Sequence, residues 1–172
     1  TVHCTSAGNT RPVLQGLCVE TSDKGVKVTA TDSHRLGIAT SSVSAEDALR
    51  VVVHRDSVVG LSRAIADGET VEILLSERRI IGKTKALTFR SSLLDGNYPD
   101  VSGILPKDAK TTVTLNRIEL LSALERLAIL AGNNVVTFAV KQTDIGHVVD
   151  LTSNEQGRGS AKETLFVGEC EG

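Results

Sequence analysis

The sequence predicts an α+β fold of antiparallel sheets with helices on one face only. Two observations carry this. Runs of apolar and polar residues alternating with a period of two, the mark of half-buried strands, are interrupted by only two stretches of helical period. The order strand, helix, strand, strand, strand then occurs twice, at 49–93 and at 111–167, with a period of about 60 residues. One helix for every four strands can cover a single face of an antiparallel sheet, so the repeat itself sets the layering.

Residues 1–10 are small and polar and read as loop. From Arg11-Pro12 an apolar-rich run through Val13, Leu14, Leu17 and Val19 reads as a strand, with Gly16 marking a bulge or a close approach of another segment. Ser22-Asp23-Lys24-Gly25 is hairpin chemistry. Over 26–31 the pattern alternates, with Val26, Val28 and Ala30 inward and Lys27, Thr29 and Thr31 outward. A further strand at 35–40 makes the opening a three-stranded meander. A polar linker at 41–47 leads to a strand at 49–53. Val58, Leu61 and Ile65 then share one face of a helix over 55–67, with Gly68 as its stop. Strands at 70–75, 79–83 and 86–93 complete the first copy.

Asp95-Gly96-Asn97-Tyr98-Pro99-Asp100 is dense turn chemistry, and an extended stretch follows through Leu105-Pro106. The domain boundary is placed here, giving 1–104 and 105–172. The second copy begins with a strand at 111–115. Asn116 is an N-cap with Glu119 placed to complete a capping box, and the helix runs to about residue 131, before Gly132. Leu120, Leu121, Leu124, Leu127 and Ala128 are read as its apolar face. Strands at 134–140, 147–152 and 161–167 close the copy. The opening meander resembles the tail of an earlier copy. Two copies side by side would make a domain of about 120 residues, so 1–104 hold most of one domain and 105–172 half of the next.

Composition narrows the function. A formal net charge of −2 gives no field that would draw the whole chain to nucleic acid or membrane. Phe89, Tyr98, Phe138 and Phe166 are the only aromatic residues, too few for stacking bases on exposed rings. Cys4, Cys18 and Cys170 are an odd set without CxxC spacing, which points to a reducing compartment and to neither a disulfide framework nor a zinc site. His3, His34, His54 and His147 have no metal-ligand spacing, and no metal or cofactor is expected. No apolar run approaches the ~18 residues of a membrane span, and the first residues lack the pattern of a signal peptide.

The chain is organised around Thr31-Asp32-Ser33-His34-Arg35-Leu36. Asp32-Ser33 is turn chemistry, because both side chains can bond nearby backbone. Few turns display a His, an Arg and a Leu together. One reading is the wall of a recognition pocket, with Leu36 as apolar floor and His34 and Arg35 as donors; the other is a plain hairpin turn. Asp32, Ser33 and His34 are the residue types of a hydrolase triad, but neighbours on one turn cannot converge and no G-x-S-x-G elbow exists. The alternative from another class is a small-molecule enzyme using the His34-Arg35 turn as an anion or substrate site. Arg55, Arg63, Arg117 and Arg126 on the helices either face DNA phosphates or form a solvated face.

Thr31-Asp32-Ser33-His34-Arg35-Leu36 and Leu94-Asp95-Gly96-Asn97-Tyr98-Pro99-Asp100, the latter followed by Ile104-Leu105-Pro106, lie about 60 residues apart in an order that resembles the bacterial β sliding clamp, the processivity subunit of DNA polymerase III. Arg11-Pro12-Val13-Leu14-Gln15-Gly16 is similar to the start of that family's middle domain. The resemblance implies a DNA clamp fold, with sheets outside and helices inside, in a head-to-tail ring dimer of three-domain protomers. It implies most of the middle domain at 1–104 and the first half of the C-terminal domain at 105–172. It further implies a non-catalytic, cytoplasmic protein that encircles double-stranded DNA without reading its sequence. Short peptides of the DNA polymerase III alpha subunit, the clamp loader, repair polymerases and mismatch-repair proteins would enter a pocket between the second and third domains. The positions matching that pocket are Leu14, Thr31, Ser33, His34, Arg35, Leu36, Pro99, Gly103, Ile104 and Val135. Gly103 stands where the family often has an Arg, and Val135 where it can have an aromatic residue. Arg11 matches a loop position that touches DNA, and Asp56 stands where a Lys can occur.

Overall fold

The computed structural model describes all residues except 9, 10, 106, 107, 132–134, 156, 158 and 172. The strands are β1 (Gly16–Ser22), β2 (Gly25–Thr31), β3 (Leu36–Ser41), β4 (Arg50–His54), β5 (Glu72–Leu75), β6 (Arg79–Lys83), β7 (Thr88–Leu94), β8 (Thr112–Thr114), β9 (Thr137–Thr143), β10 (Gly146–Glu155), β11 (Gly159–Phe166) and β12 (Glu169–Glu171). The helices are α1 (Arg55–Ala64) and α2 (Arg117–Ala128). The chain forms two compact units, Thr1–Val101 and Ser102–Gly172. The repeated order is present: β4-α1-β5-β6-β7, then β8-α2-β9-β10-β11.

The first unit is a seven-stranded sheet in the order β3-β2-β1-β4-β7-β6-β5, every pair antiparallel. Its centre is covered on both faces. Leu17 and Cys18 are successive residues of β1 and point to opposite sides. Leu17 joins Cys4 and Ala30, with Val58 of α1 packed against them; Cys18 joins Leu14, Val52 and Tyr98. This corrects the outward assignment of Thr29 and Thr31. Thr29 lies opposite Cys18, and both threonines are buried because the Leu14–Tyr98 layer covers that face.

The run from Arg11 is not one continuous strand. Pro12–Gln15 is a 3-10 turn, suited by the fixed φ of Pro12 at its first position, and β1 begins only at Gly16. Val2–Cys4 is a second 3-10 turn where the sequence reads as loop, held by the buried Cys4. Gly16 is a close approach: a Cβ there would lie 2.6 Å from Val52 Cγ1 and 2.8 Å from the Val53 carbonyl. Gly82 serves α1 in the same way, since a Cβ would lie 2.7 Å from Leu61 Cδ1. The helix starts where the His54 side chain accepts a hydrogen bond from the Asp56 N–H. It ends at Ala64 and not at 67, because Ile65 turns extended; Gly68 belongs to the following turn.

In the second unit β11-β10-β9 form one sheet and β12-β8 another. The two ladders meet within two residues: the Val167 N–H donates to the His147 carbonyl of β10, and the Gly168 N–H donates to the Thr114 carbonyl of β8. β11 and β12 therefore do together what β7 does alone in the first unit, where one strand pairs with both β6 and β4. Asn116 caps α2 by accepting from the Ile118 and Glu119 N–H groups. The buried face of the helix is Ala123 and Leu127, closed on Val149, Leu151 and Leu165. Leu121 and Ala128, read as part of that face, are exposed. Beyond Ala128 the path tightens to i→i+3 bonds through Ala131, and Ser153 Oγ donates to the Leu127 carbonyl. Gly132 and Asn134 lie outside the described residues.

On the sheet face away from α2, Asp150 is buried between Lys141 at 2.7 Å, Lys162 at 3.0 Å and the Thr164 hydroxyl at 2.7 Å. The ladder puts them together, because Thr164 is directly opposite Asp150 and the two lysines oppose Val148 and Thr152. The hydrogen bond from Lys141, then those from Thr164 and Lys162, hold this carboxyl well below the usual carboxylate range.

Candidate functional site

The Thr31–Leu36 turn is held by its own side chains, which bond its backbone. Asp32 Oδ1 accepts from the N–H groups of His34 and Arg35, both at 3.0 Å, which is an Asx turn. Its Oδ2 takes the Arg35 Nε at 2.9 Å. Thr31 Oγ1 donates to the Arg35 carbonyl at 2.8 Å and accepts from the Ser33 N–H at 3.2 Å. Ser33 sits at φ +79°, a conformation that only a well-determined turn imposes on a non-glycine residue. His34 and Arg35 are thereby presented outward: both are exposed, and the Arg35 side chain is 60% accessible although its Nε is engaged.

The turn stands on a buried layer. Leu14 is 4% exposed and packs with Cys18, Val52 and Tyr98, so it lies beneath the site and is not an open wall. The Thr31 N–H donates to the Tyr98 hydroxyl at 2.8 Å. Leu36 is half-buried, and Pro99, next to Tyr98, is exposed. Tyr98 is the contact to the turn that the sequence pattern does not disclose. Within Gly96-Asn97-Tyr98-Pro99 it reads as one more turn residue; being the only tyrosine in an aromatic-poor chain was the available signal.

In the second unit Gly103, Ile104 and Val135 are all exposed. Of the cationic residues, Arg11, Arg63 and Arg117 are exposed, and no ion pair holds them among the described residues. Arg55 lies loosely against Asp56 at 3.8 Å. Arg126 differs: its guanidinium makes two bonds to Glu163, at 2.7 and 2.9 Å, and would have to leave them to reach a phosphate. Asp32 receives the backbone N–H of His34, not its imidazole, so Asp32, Ser33 and His34 form no proton relay. No group of three or more His, Cys, Asp or Glu residues among those described could hold a metal ion, and no described helix is long and apolar enough to cross a membrane.

The backbone N–H of His34, followed by the N–H and side chain of Arg35, holds the Asp32 carboxyl below the usual carboxylate range. Its folded value is thus lower than its unfolded one. The stabilisation of the turn is complete above the unfolded value near pH ~4 and is lost as pH falls through the lowered folded value. In an NMR titration the amide shifts of His34 and Arg35 are expected to move with a midpoint below about 4. A midpoint at or above that value contradicts the Asx-turn assignment.

Residues 1–100 match the family model of the DNA polymerase III beta subunit, central domain. The chain is 34% identical to the beta sliding clamp of Bacillus subtilis, over all of this chain and 46% of that protein. The crystal structure of the Bacillus subtilis DNA polymerase sliding clamp superposes with a TM-score of 0.91 at 31% identity, covering 100% of this chain and 46% of the other. A Pseudomonas aeruginosa sliding clamp, solved bound to griselimycin, superposes with a TM-score of 0.86 at 26% identity, covering 100% of this chain and 47% of that one. The architecture is the DNA clamp fold, antiparallel sheets with helices on one face in repeated βαβββ units. The chain belongs to the family of DNA polymerase III beta subunits, the beta sliding clamps. It spans about half the length of the curated relatives it matches.

Proposed function

We propose that this chain serves in a DNA polymerase III sliding clamp, a ring-shaped processivity factor that encircles double-stranded DNA. The protein holds the replicative polymerase at the primer end by capturing a short peptide, raising its effective concentration there, and catalyses nothing itself. Its partners are the DNA polymerase III alpha subunit, the clamp loader, repair polymerases and mismatch-repair proteins, and its full-length form is a homodimer in the bacterial cytoplasm. Residues 1–104 supply the middle domain and 105–172 the first half of the C-terminal domain. Exposed Ile118 and Leu121 on α2, and Phe138 and Val140 opposite buried Leu151 and Val149, support a further βαβββ copy packing beside the second unit.

The observation that carries the reading is the outward-facing turn at 31–36, fixed at both ends and held over a buried layer, in a chain of this family. The residues proposed for peptide binding are Leu14, Thr31, Ser33, His34, Arg35, Leu36 and Pro99 on the first unit, with Leu14 and Thr31 acting from below, and Gly103, Ile104 and Val135 on the second. Arg11, Arg55, Arg63 and Arg117 contact phosphates, and Arg126 contributes least because Glu163 holds it. With so few contacts DNA affinity is weak, and retention on DNA is topological. A full-length protein carrying these residues, loaded onto nicked circular DNA, is expected to stay bound in high salt and to leave once the circle is cut. Retention on linear DNA, or release from intact circles, contradicts the reading.

A further inference from the structure

We propose that Tyr98 is a positioning residue of the peptide-docking turn: its hydroxyl oxygen fixes the Thr31 amide and so sets how Ser33, His34, Arg35 and Leu36 are presented. The inference rests on the peptide-site reading above and names the residue that makes that site competent.

The need for Tyr98 follows from the sheet. The β1–β2 ladder reaches only to Cys18 opposite Thr29, while Gly16 at the start of β1 pairs with His54 of β4. Thr31 thus lies beyond the paired part of that edge, with its N–H in a buried position. A buried donor without a partner is costly. The Tyr98 hydroxyl supplies the acceptor, at 2.8 Å. Thr31 is also the residue whose own hydroxyl holds both the Arg35 carbonyl and the Ser33 N–H, so fixing its amide fixes the base of the whole turn.

Tyr98 is itself anchored at two points. The residue is 4% exposed and packs among Leu14, Cys18 and Val52. Its carbonyl accepts from Arg50 Nη2 at 3.1 Å, and Arg50 is paired through Glu20 to Lys27, which lies on β2 with Thr31. The next residue is Pro99, an exposed member of the proposed site. One side chain therefore ties the 95–100 loop to the 31–36 turn. A phenylalanine would fill the same space but leave the Thr31 N–H unpaired, so the hydroxyl serves the turn and not the packing.

Tyr98 is the only tyrosine and the chain has no tryptophan, so 3-fluorotyrosine incorporation gives a single 19F signal that reports this residue alone. The test uses the 172-residue chain and a synthetic peptide with a Gln followed by Leu and Phe and no tyrosine. Tyr98→Phe is expected to keep the far-UV spectrum, to speed amide exchange at Thr31 and Ser33, and to weaken peptide affinity by about three- to tenfold. In the unmutated protein the 19F signal is expected to shift on saturation with peptide, which a hydroxyl serving only stability would not do. If the unmutated chain binds and Tyr98→Phe binds equally well, the positioning role is overturned and the peptide site stands. If the unmutated chain does not bind, the peptide site falls and the proposal with it. If Tyr98→Phe does not fold, the 19F signal decides: a shift on saturation supports the proposal and a fixed signal overturns it.

Discussion

Leu127→Ala is expected to lower the stability of the second unit by about 2–5 kcal/mol, the range for removing a large side chain from a packed core. Leu127 is 0% exposed, and it packs with Ala123, Val149, Leu151 and Leu165 at the contact of α2 with β10 and β11. Its carbonyl also takes the Ser153 hydroxyl, so a shift of the helix end loosens a buried polar contact as well. For a unit of this size such a loss corresponds to a fall in melting temperature of about 10 °C or more. Leu121→Ala serves as the control: its side chain is exposed, and the same truncation there should cost well under 1 kcal/mol, as ordinary surface changes do. Amide exchange along β10 checks the pair. Equal effects at the two positions would mean that the buried face of α2 is wrongly assigned.

The second large effect is on recognition. Leu36→Ala is expected to weaken binding of the Gln-Leu-Phe peptide by about ten- to a hundredfold, since burying one such side chain is worth roughly 1.5–3 kcal/mol. Leu36 is half-buried at the start of β3, opposite Thr31, so truncation removes apolar floor without opening the main core. Arg35→Ala should cost less, because the Arg35 side chain is largely exposed and its Nε already belongs to Asp32. Calorimetry on the folded variants gives the ranking, and an Arg35→Ala loss larger than that of Leu36→Ala would reverse the roles of floor and rim.

Much of this was legible in the sequence, for identifiable reasons. The repeated β-α-β-β-β order survives because each element carries its own period, and Asn116 announces a helix start that the cap hydrogen bonds reproduce. Gly16 advertised a close approach, and Val52 and the Val53 carbonyl are what approaches. What failed needed knowledge of the layers. Thr29 and Thr31 looked solvent-facing because strict alternation assumes one wet face, and the Leu14–Tyr98 layer makes both faces dry. The leucine spacing of α2 reads as one apolar face, yet the sheet beneath reaches Leu127 and leaves Leu121 outside. The break between β11 and β12 is set by which ladder each amide joins, and no side-chain pattern records that choice. At the candidate site the turn itself was visible, since Asp32 and Ser33 are turn formers. Tyr98 was not, because a residue that acts from another loop leaves no local signature.

Peptide docking by the 31–36 turn of this clamp-family chain is what we propose. Chemical-shift mapping of the 15N-labelled chain with the unlabelled Gln-Leu-Phe peptide is the decisive test. Saturable shifts are expected, concentrated at Ser33, His34, Arg35 and Leu36 and at the amides flanking Pro99, with Leu36→Ala suppressing them. Shifts confined to other surfaces, or none at peptide concentrations well above micromolar, would contradict it.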